Sequence, residues 1–396
     1  MSGRTGRVTT SRTFGAMIFR LVAAVAALAL WAPAAAAANR AAAAGGGSGC
    51  GPVHELHFVC GADHPEDMAW IPGTRWVIIS GFDRDGGLRI MDTRALKVNP
   101  WYVGSAAQRR SGRLVGAADC RRPPVAALLD TQGLSLRTLG PGRYRLYAVN
   151  HGGRESIEIF DISMSAGEPV PRWRGCILMP HGDAANAVSF FPDGQVIATV
   201  LNLPGTTKAD FVRGKPTGAV LEWRPGTEHF RPLPGTELPG NNGLTASPDG
   251  KYFYVVAFGL HAIYMYASSD TRRAIRSATA PGFMPDNVHW ENGRLIAAGM
   301  TYDEPACGGV RKVIDGHADT MLCHRGYVVA ALNPRTLRFR VLAYGEPNPA
   351  FNGVTTGLII GKRLWISSYQ ADRVAYRQLP GSGASGAFWA ASHCRK

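Results

Sequence analysis

Six short apolar runs recur along the chain: Trp76–Ser80, Tyr144–Val149, Val196–Val200, Tyr252–Val256, Leu295–Ala298 and Leu364–Ser367. Each is rich in β-branched or aromatic residues and of strand length. A tight-turn signal precedes each run: Pro72-Gly73, Pro141-Gly142, Asp193-Gly194, Asp249-Gly250, Asn292-Gly293 and Gly361-Lys362. Glycine there supplies the positive φ that hairpin turns demand. Long helical periodicity is absent beyond the N-terminal segment, so the pattern predicts an all-β protein.

The spacing predicts more. The turn glycines 73, 142, 194, 250, 293 and 361 lie 69, 52, 56, 43 and 68 residues apart. Such gaps accommodate four short strands with loops of variable length, the content of one propeller blade. A β-sandwich would repeat its turns about every 8–12 residues without a longer unit. About six to ten residues before each turn, a polar residue interrupts apolar sequence: Glu66-Asp67, Gln132, Asn186, Asn242, Asp286-Asn287 and Asn352. In a propeller the first strand of every blade lines a central channel. Residues at matched positions therefore converge on one axis, however distant they are in sequence. The expected fold is a six-bladed β-propeller over residues 56–396.

The N-terminus has a different pattern. Arg4, Arg7, Arg12 and Arg20 precede or enter the largely apolar stretch from Met17 to Trp31, followed by small residues at 34–38. That order predicts a secretory signal over 1–38, with a flexible segment over 39–55. The apolar run falls short of the roughly 20 residues a membrane span needs. The expected location is secreted or periplasmic, with no membrane span. Seven cysteines, at 50, 60, 120, 176, 307, 323 and 394, suit an oxidising compartment. None forms a C-x-x-C pair, so zinc is not indicated. Cys307 is expected to pair with Cys323, and Cys394 with Cys50 or Cys60 if the ends of the chain meet. The net charge of +14 is spread without a basic block or an aromatic RNA-binding signature, which argues against nucleic acid as a partner.

The converging set is rich in oxygen donors. Ca²⁺ takes six to eight oxygen ligands in flexible geometry, and Glu66, Asn186, Asn242, Asp286 and Asn287 could supply five. Asn and Asp also cap turns in many proteins, so the weight rests on their repeat-matched placement.

These residues carry a resemblance. His64-Pro-Glu-Asp-Met68, Gly133-Leu-Ser-Leu-Arg137, Leu146 to Phe160 with its Val149-Asn-His151 strand, Asn242-Gly-Leu244 and Asp286-Asn287 are similar to the paraoxonase/arylesterase group of the gluconolactonase-like calcium propellers. The resemblance spans residues 56 to about 380. It implies a six-bladed propeller with two calcium ions in the channel. Glu66, Asn186, Asn242, Asp286 and Asn287 would hold the catalytic ion. Asp67 would serve a structural ion together with a carboxylate beside Asn186, where this chain has Ala187. The family often pairs the histidine matched by His151 with a second histidine, and here that position is Gln132. A glutamine cannot act as a general base at neutral pH. The implied activity is hydrolysis of a small lactone or aryl ester. The metal would polarise the carbonyl, and His151, Glu66 or Asp286 would activate water. The alternative is a catalytically silent propeller that binds a ligand or partner. Loops over 97–130 and 301–325 are expected to surround the channel mouth.

Overall fold

The computed structural model of the chain describes residues 49–379, apart from 85, 110–114 and 119. The export signal expected over 1–38 and Cys394 lie outside the described residues.

Six four-stranded antiparallel sheets follow one another around a closed ring. Blade 1 comprises Met68–Trp70, Trp76–Ser80, Leu88–Asp92 and Lys97–Pro100. Blade 2 comprises Thr131–Gly140, Arg143–Asn150, Ser156–Ser165 and Glu168–Leu178. Blade 3 runs from Ala185–Phe190 through Val196–Val200 and Ala219–Trp223 to Arg231–Pro232, and blade 4 from Asn241–Ala246 through Tyr252–Ala257 and Ala262–Ala267 to Arg276–Thr279. Blade 5 is Phe283–Glu291, Arg294–Thr301, Tyr327–Leu332 and Phe339–Gly345. Blade 6 is Val354–Ile360, Arg363–Ser368 and Arg373–Gln378, with its outer strand supplied by His57–Cys60 from the start of the fold. The first strand of each blade packs on the first strands of the blades before and after it. The chain is a six-bladed β-propeller.

The six turn signals are the six hairpins joining first to second strands. The second strands read as unbroken apolar runs because neighbouring blades cover both of their faces. Trp76–Ser80 and Val196–Val200 are buried at every position. A strand covered on both faces loses the polar alternation of a half-exposed one.

Hydrogen bonding between His57–Cys60 and Arg373–Gln378 closes the ring. This corrects the expected disulfide staple. Cys60 bonds Cys50, ten residues away, rather than Cys394. The backbone ladder already joins the ends, and Cys50–Cys60 ties residues 50–60 locally to the closing strand. Cys307–Cys323 pairs as expected, and Cys120 bonds Cys176. Three disulfides fit an extracellular or periplasmic protein. Among the described residues, no helix is long and apolar enough to cross a membrane.

Antiparallel order fixes which connections surround the channel. The first strands run from one mouth down to the hairpins, and the second strands return. Every second-to-third-strand connection therefore lies at the mouth where the first strands begin.

Candidate metal centre in the channel

The same irregularity recurs near the start of five first strands. One extra residue stands against the neighbouring strand between Thr131 and Leu134, Ala185 and Val188, Asn241 and Leu244, Pro285 and Val288, and Val354 and Gly357. These are β-bulges, which interrupt pairing and re-aim side chains. The residues inside them are Gln132-Gly133, Asn186-Ala187, Asn242-Gly243, Asp286-Asn287 and Thr355-Thr356. Glu66-Asp67 precede Met68–Trp70 at the matching place in blade 1. Two bulges need glycine for close approach. A Cβ at Gly133 would stand 2.7 Å from Ala187 Cα, and one at Gly243 would stand 2.4 Å from the Asp286 carbonyl oxygen.

One residue from each blade, Glu66, Gln132, Asn186, Asn242, Asp286 and Thr355, lines a cavity of about 150 Å³ at the upper mouth. Blade 6 differs from expectation. Its contribution is Thr355-Thr356: the Thr355 hydroxyl donates to the Glu66 carbonyl at 2.6 Å, and the Thr356 hydroxyl turns to Asp67. Asn352 lies before the strand and anchors the mouth instead. It accepts from the Arg325 amide at 3.1 Å and donates to Gln370 Oε1.

The cavity concentrates unsatisfied oxygen. Glu66 Oε1 accepts from Asn287 Nδ2 at 2.9 Å, while Glu66 Oε2, Asn186 Oδ1 and Asn242 Oδ1 are buried without a hydrogen-bond partner. Buried polar atoms in folded proteins are nearly always paired, so three orphans around one small cavity require an explanation. Burial pushes the Glu66 carboxyl well above its usual range, reinforced by the charges of Asp67 and Asp286 and opposed by Asn287. Burial likewise raises Asp286 to about 7, with Asn242 and Arg311 lowering it and Asp67 raising it. The chain's own cations leave the acids unneutralised. Arg311 and Lys208 line the cavity, yet among the described residues neither forms an ion pair with Glu66 or Asp286.

Such a set fits a hard divalent cation, which accepts carboxylate and amide oxygens together. Among the described residues, no group of three or more His, Cys, Asp or Glu side chains is placed to hold a metal. The cavity instead joins two carboxylates, Glu66 and Asp286, to the side-chain amides of Asn186 and Asn242. Asn287 contributes by orienting Glu66.

Asp67, although adjacent to Glu66, is spent. Its Oδ1 accepts from the Met68 amide, Thr356 Oγ1 and His289 Nε2 at 2.8, 2.9 and 2.7 Å, and its Oδ2 accepts from the Leu134 amide at 2.7 Å. His289 is the residue that sequence reasoning missed. Burial opposes its imidazolium, but the charge and hydrogen bond of Asp67 prevail and hold its pKa up.

His151 stands behind Gln132. Its Nε2 lies 2.8 Å from Gln132 Oε1, and its Nδ1 lies 2.8 Å from Glu155 Oε2. Both ring nitrogens are thus engaged away from the cavity, which Gln132 lines. The segment 301–325 contributes Arg311 and Met321 to the mouth. Within 97–130, Lys97–Pro100 is the outer strand of blade 1, and Val115 and Ala117 lie along blade 2, where their amides donate to the Arg174 and Cys176 carbonyls.

No family profile matches the chain, and no curated protein matches it. Solved structures similar to it include a luciferin-regenerating enzyme, 14% identical over 82% of this chain and 92% of that one, with a TM-score of 0.46. A calcium-binding protein, regucalcin, from Agrobacterium tumefaciens is 10% identical over 80% of this chain and 90% of that one, with a TM-score of 0.44. An oxidoreductase described as a glucose dehydrogenase, from Thermus thermophilus, is 15% identical over 82% of this chain and 99% of that one, with a TM-score of 0.42.

Proposed function

We propose that the chain is a Ca²⁺-dependent hydrolase of small lactones or esters. The observation that carries this reading is the trio of orphaned oxygens, Glu66 Oε2, Asn186 Oδ1 and Asn242 Oδ1, beside the raised Asp286 carboxyl. Glu66, Asn186, Asn242 and Asp286 would hold the ion. A bound Ca²⁺ supplies Lewis acidity, polarising a carbonyl and stabilising charge on its oxygen. Gln132, with Oε1 turned to His151, presents its amide Nε2 as a donor to the substrate carbonyl or to water. Glu155 and His151 hold that amide in place. The attacking water must lose a proton, and the carboxylates of Glu66 and Asp286 line the cavity to receive it. Phe82, Leu201, Phe211, Phe258 and Met321 form apolar walls that limit bulk water.

A second reading is favoured by one observation. Gln132 separates His151 from the cavity, which withholds the imidazole from direct proton transfer. A cation-dependent binding propeller without hydrolytic activity is consistent with that arrangement. Titration calorimetry with Ca²⁺, followed by a panel of lactones and aryl esters with and without chelator, separates the readings. Ca²⁺ binding with chelator-sensitive turnover supports the hydrolase. Ca²⁺ binding without turnover supports the binding protein, and absence of Ca²⁺ binding rejects both.

A further inference from the structure

The mouth of the cavity carries positive charge that forms no ion pair among the described residues. Arg311 lies in the connection between Arg294–Thr301 and Tyr327–Leu332, whose excursion Cys307–Cys323 closes. Its Nε donates to the Asp319 carbonyl at 3.0 Å. Its guanidinium carbon stands 5.4 Å from the Phe211 ring centroid and 6.0 Å from that of Phe258. The two rings pack edge-to-face 6.0 Å apart. Aromatic faces and one carbonyl therefore hold the guanidinium by its surface and by Nε. Its terminal Nη groups form no hydrogen bond or ion pair with any described residue. Lys208 lines the same cavity from the first position of the helix Lys208–Val212, exposed and without an ion-pair partner among the described residues. Tyr369 completes this side. Its hydroxyl accepts from Gln370 Nε2 at 2.7 Å, which leaves its proton to donate.

These groups share the cavity with the acidic floor, and Arg311 is close enough to feel the Asp286 charge without pairing to it. Among the described residues, Glu66 and Asp286 are the only acids lining the cavity, and a divalent cation would balance them. Arg311 and Lys208 would then remain as net positive charge at the mouth. A guanidinium clamped with its fork open is preorganised for a planar oxyanion, to which it can donate two parallel hydrogen bonds.

We propose that the substrate is itself an anion, a small lactone or ester bearing a second, free carboxylate, which Arg311 reads with Lys208 and Tyr369 beside it. The proposal rests on the hydrolase reading for the carbonyl that reacts. The recognition of charge stands on Arg311, with Lys208 in support, and does not depend on the metal. A neutral lactone would leave the Nη groups facing an uncharged ligand. Phosphate would satisfy the same fork, so it belongs in the test.

The test is calorimetric, on the full chain with and without Ca²⁺. The probes are γ-butyrolactone-γ-carboxylate, its carboxamide and inorganic phosphate. The parent should bind the carboxylate about tenfold or more tighter than the carboxamide, as a charge-assisted pair predicts, and the preference should shrink as salt is raised. Arg311→Gln should abolish the preference while retaining Ca²⁺ binding, and Arg311→Lys should recover only part of it. Lys208→Gln, at an exposed position, should reduce the preference less and serves if Arg311→Gln does not fold. Equal affinity of the Ca²⁺-loaded parent for carboxylate and carboxamide would overturn the proposal and leave the calcium reading intact. A carboxylate preference that persists without Ca²⁺ binding, and is lost in Arg311→Gln, would sink the calcium reading and sustain this one. Phosphate bound tighter than the carboxylate would overturn the assignment to a carboxylic acid.

Discussion

Glu66 and Asp67 are consecutive, equally buried acids, and the protein treats them in opposite ways. Asp67 receives the amide of the next residue, Met68, donors from Leu134 and Thr356 on the two adjoining blades, and the His289 ring. Glu66 receives a single side-chain donor and keeps one oxygen bare. A buried carboxylate is costly unless paired and hydrogen-bonded. Asp67 meets that condition from within the chain. Glu66, together with Asp286, does not, and its deficit is what an external cation would supply. The His289 ring held against Asp67 gives that level of the channel a counter-charge from within the chain.

The comparison breaks most visibly at Asp67. Asp67→Asn removes the charge that His289 pairs with and turns one acceptor into a donor facing backbone amides. Losing one partner of a buried pair typically costs about 3–5 kcal/mol, so urea denaturation should register a loss near the lower end, because His289 can shed its proton. Ca²⁺ affinity should change less than it does in Glu66→Gln. A variant as stable as the parent would mean that Asp67 is no internal counterpart of the metal level.

Glu66→Gln should do the reverse. Ca²⁺ affinity should fall by about 10–100-fold, the range for lost contacts around a metal site. Above neutral pH the metal-free variant should be at least as stable as the parent, because an unpaired buried charge has gone. Calorimetry and thermal unfolding of the same samples read both effects. A clear destabilisation with unchanged Ca²⁺ affinity would assign Glu66 to structure instead.

The next effect is on pH. Asp286 sits near 7 and Glu66 is raised too, so the metal-free native state holds protons that the unfolded chain releases at lower pH. Groups raised in the fold stabilise fully below their unfolded pKa and lose that contribution as pH climbs through the folded value. His289, also raised, adds in the same direction above its ordinary value. Metal-free stability should therefore decline from about pH 4 to beyond pH 7, while Ca²⁺ should flatten the decline by keeping the carboxylates ionised and paired. Below pH 7, Ca²⁺ affinity should drop by up to about tenfold per unit for each proton displaced. A pH-independent affinity between 5 and 8 would exclude Asp286 as a ligand.

How much of this was legible follows from what kind of information each feature needs. The hairpins announced themselves because proline, glycine, aspartate and asparagine act locally, and the second strands because two-sided burial leaves unbroken apolar runs. Glu66, Gln132, Asn186, Asn242 and Asp286 could be found by matched spacing to those hairpins. The bulges could not, since they are defined by register against a neighbouring strand. Without register, Asn352 stood in for Thr355-Thr356, the more conspicuous polar residue being taken over the pair actually in the bulge. His289 was invisible as a partner because it meets Asp67 across 222 positions. The outer strand at His57–Cys60 was hidden for the same reason, and with it the local Cys50–Cys60 bond.

The smallest effect tests the other bare spot in the ring, the Gln132 position. Glu155, His151 and Gln132 form a line in which each contact is 2.8 Å, and only Gln132 reaches the cavity. An amide passes no proton, so the imidazole behind it is insulated. Gln132→His would put a titratable ring where the amide now stands, with His151 and Glu155 aligned behind it. A well-placed general base is worth about 10²–10⁴ in rate, but an imidazole grafted without a tuned surrounding should yield less than about tenfold. The gain should appear as a new limb near pH 6–7 in the pH–rate profile at saturating Ca²⁺, the range in which an ordinary imidazole titrates. Ca²⁺ affinity should hold, since the substitution removes none of the four groups assigned to the ion. If the folded, Ca²⁺-loaded variant keeps the parent's rate and profile, the line from Glu155 to position 132 only positions the amide, and proton transfer belongs to the acidic floor.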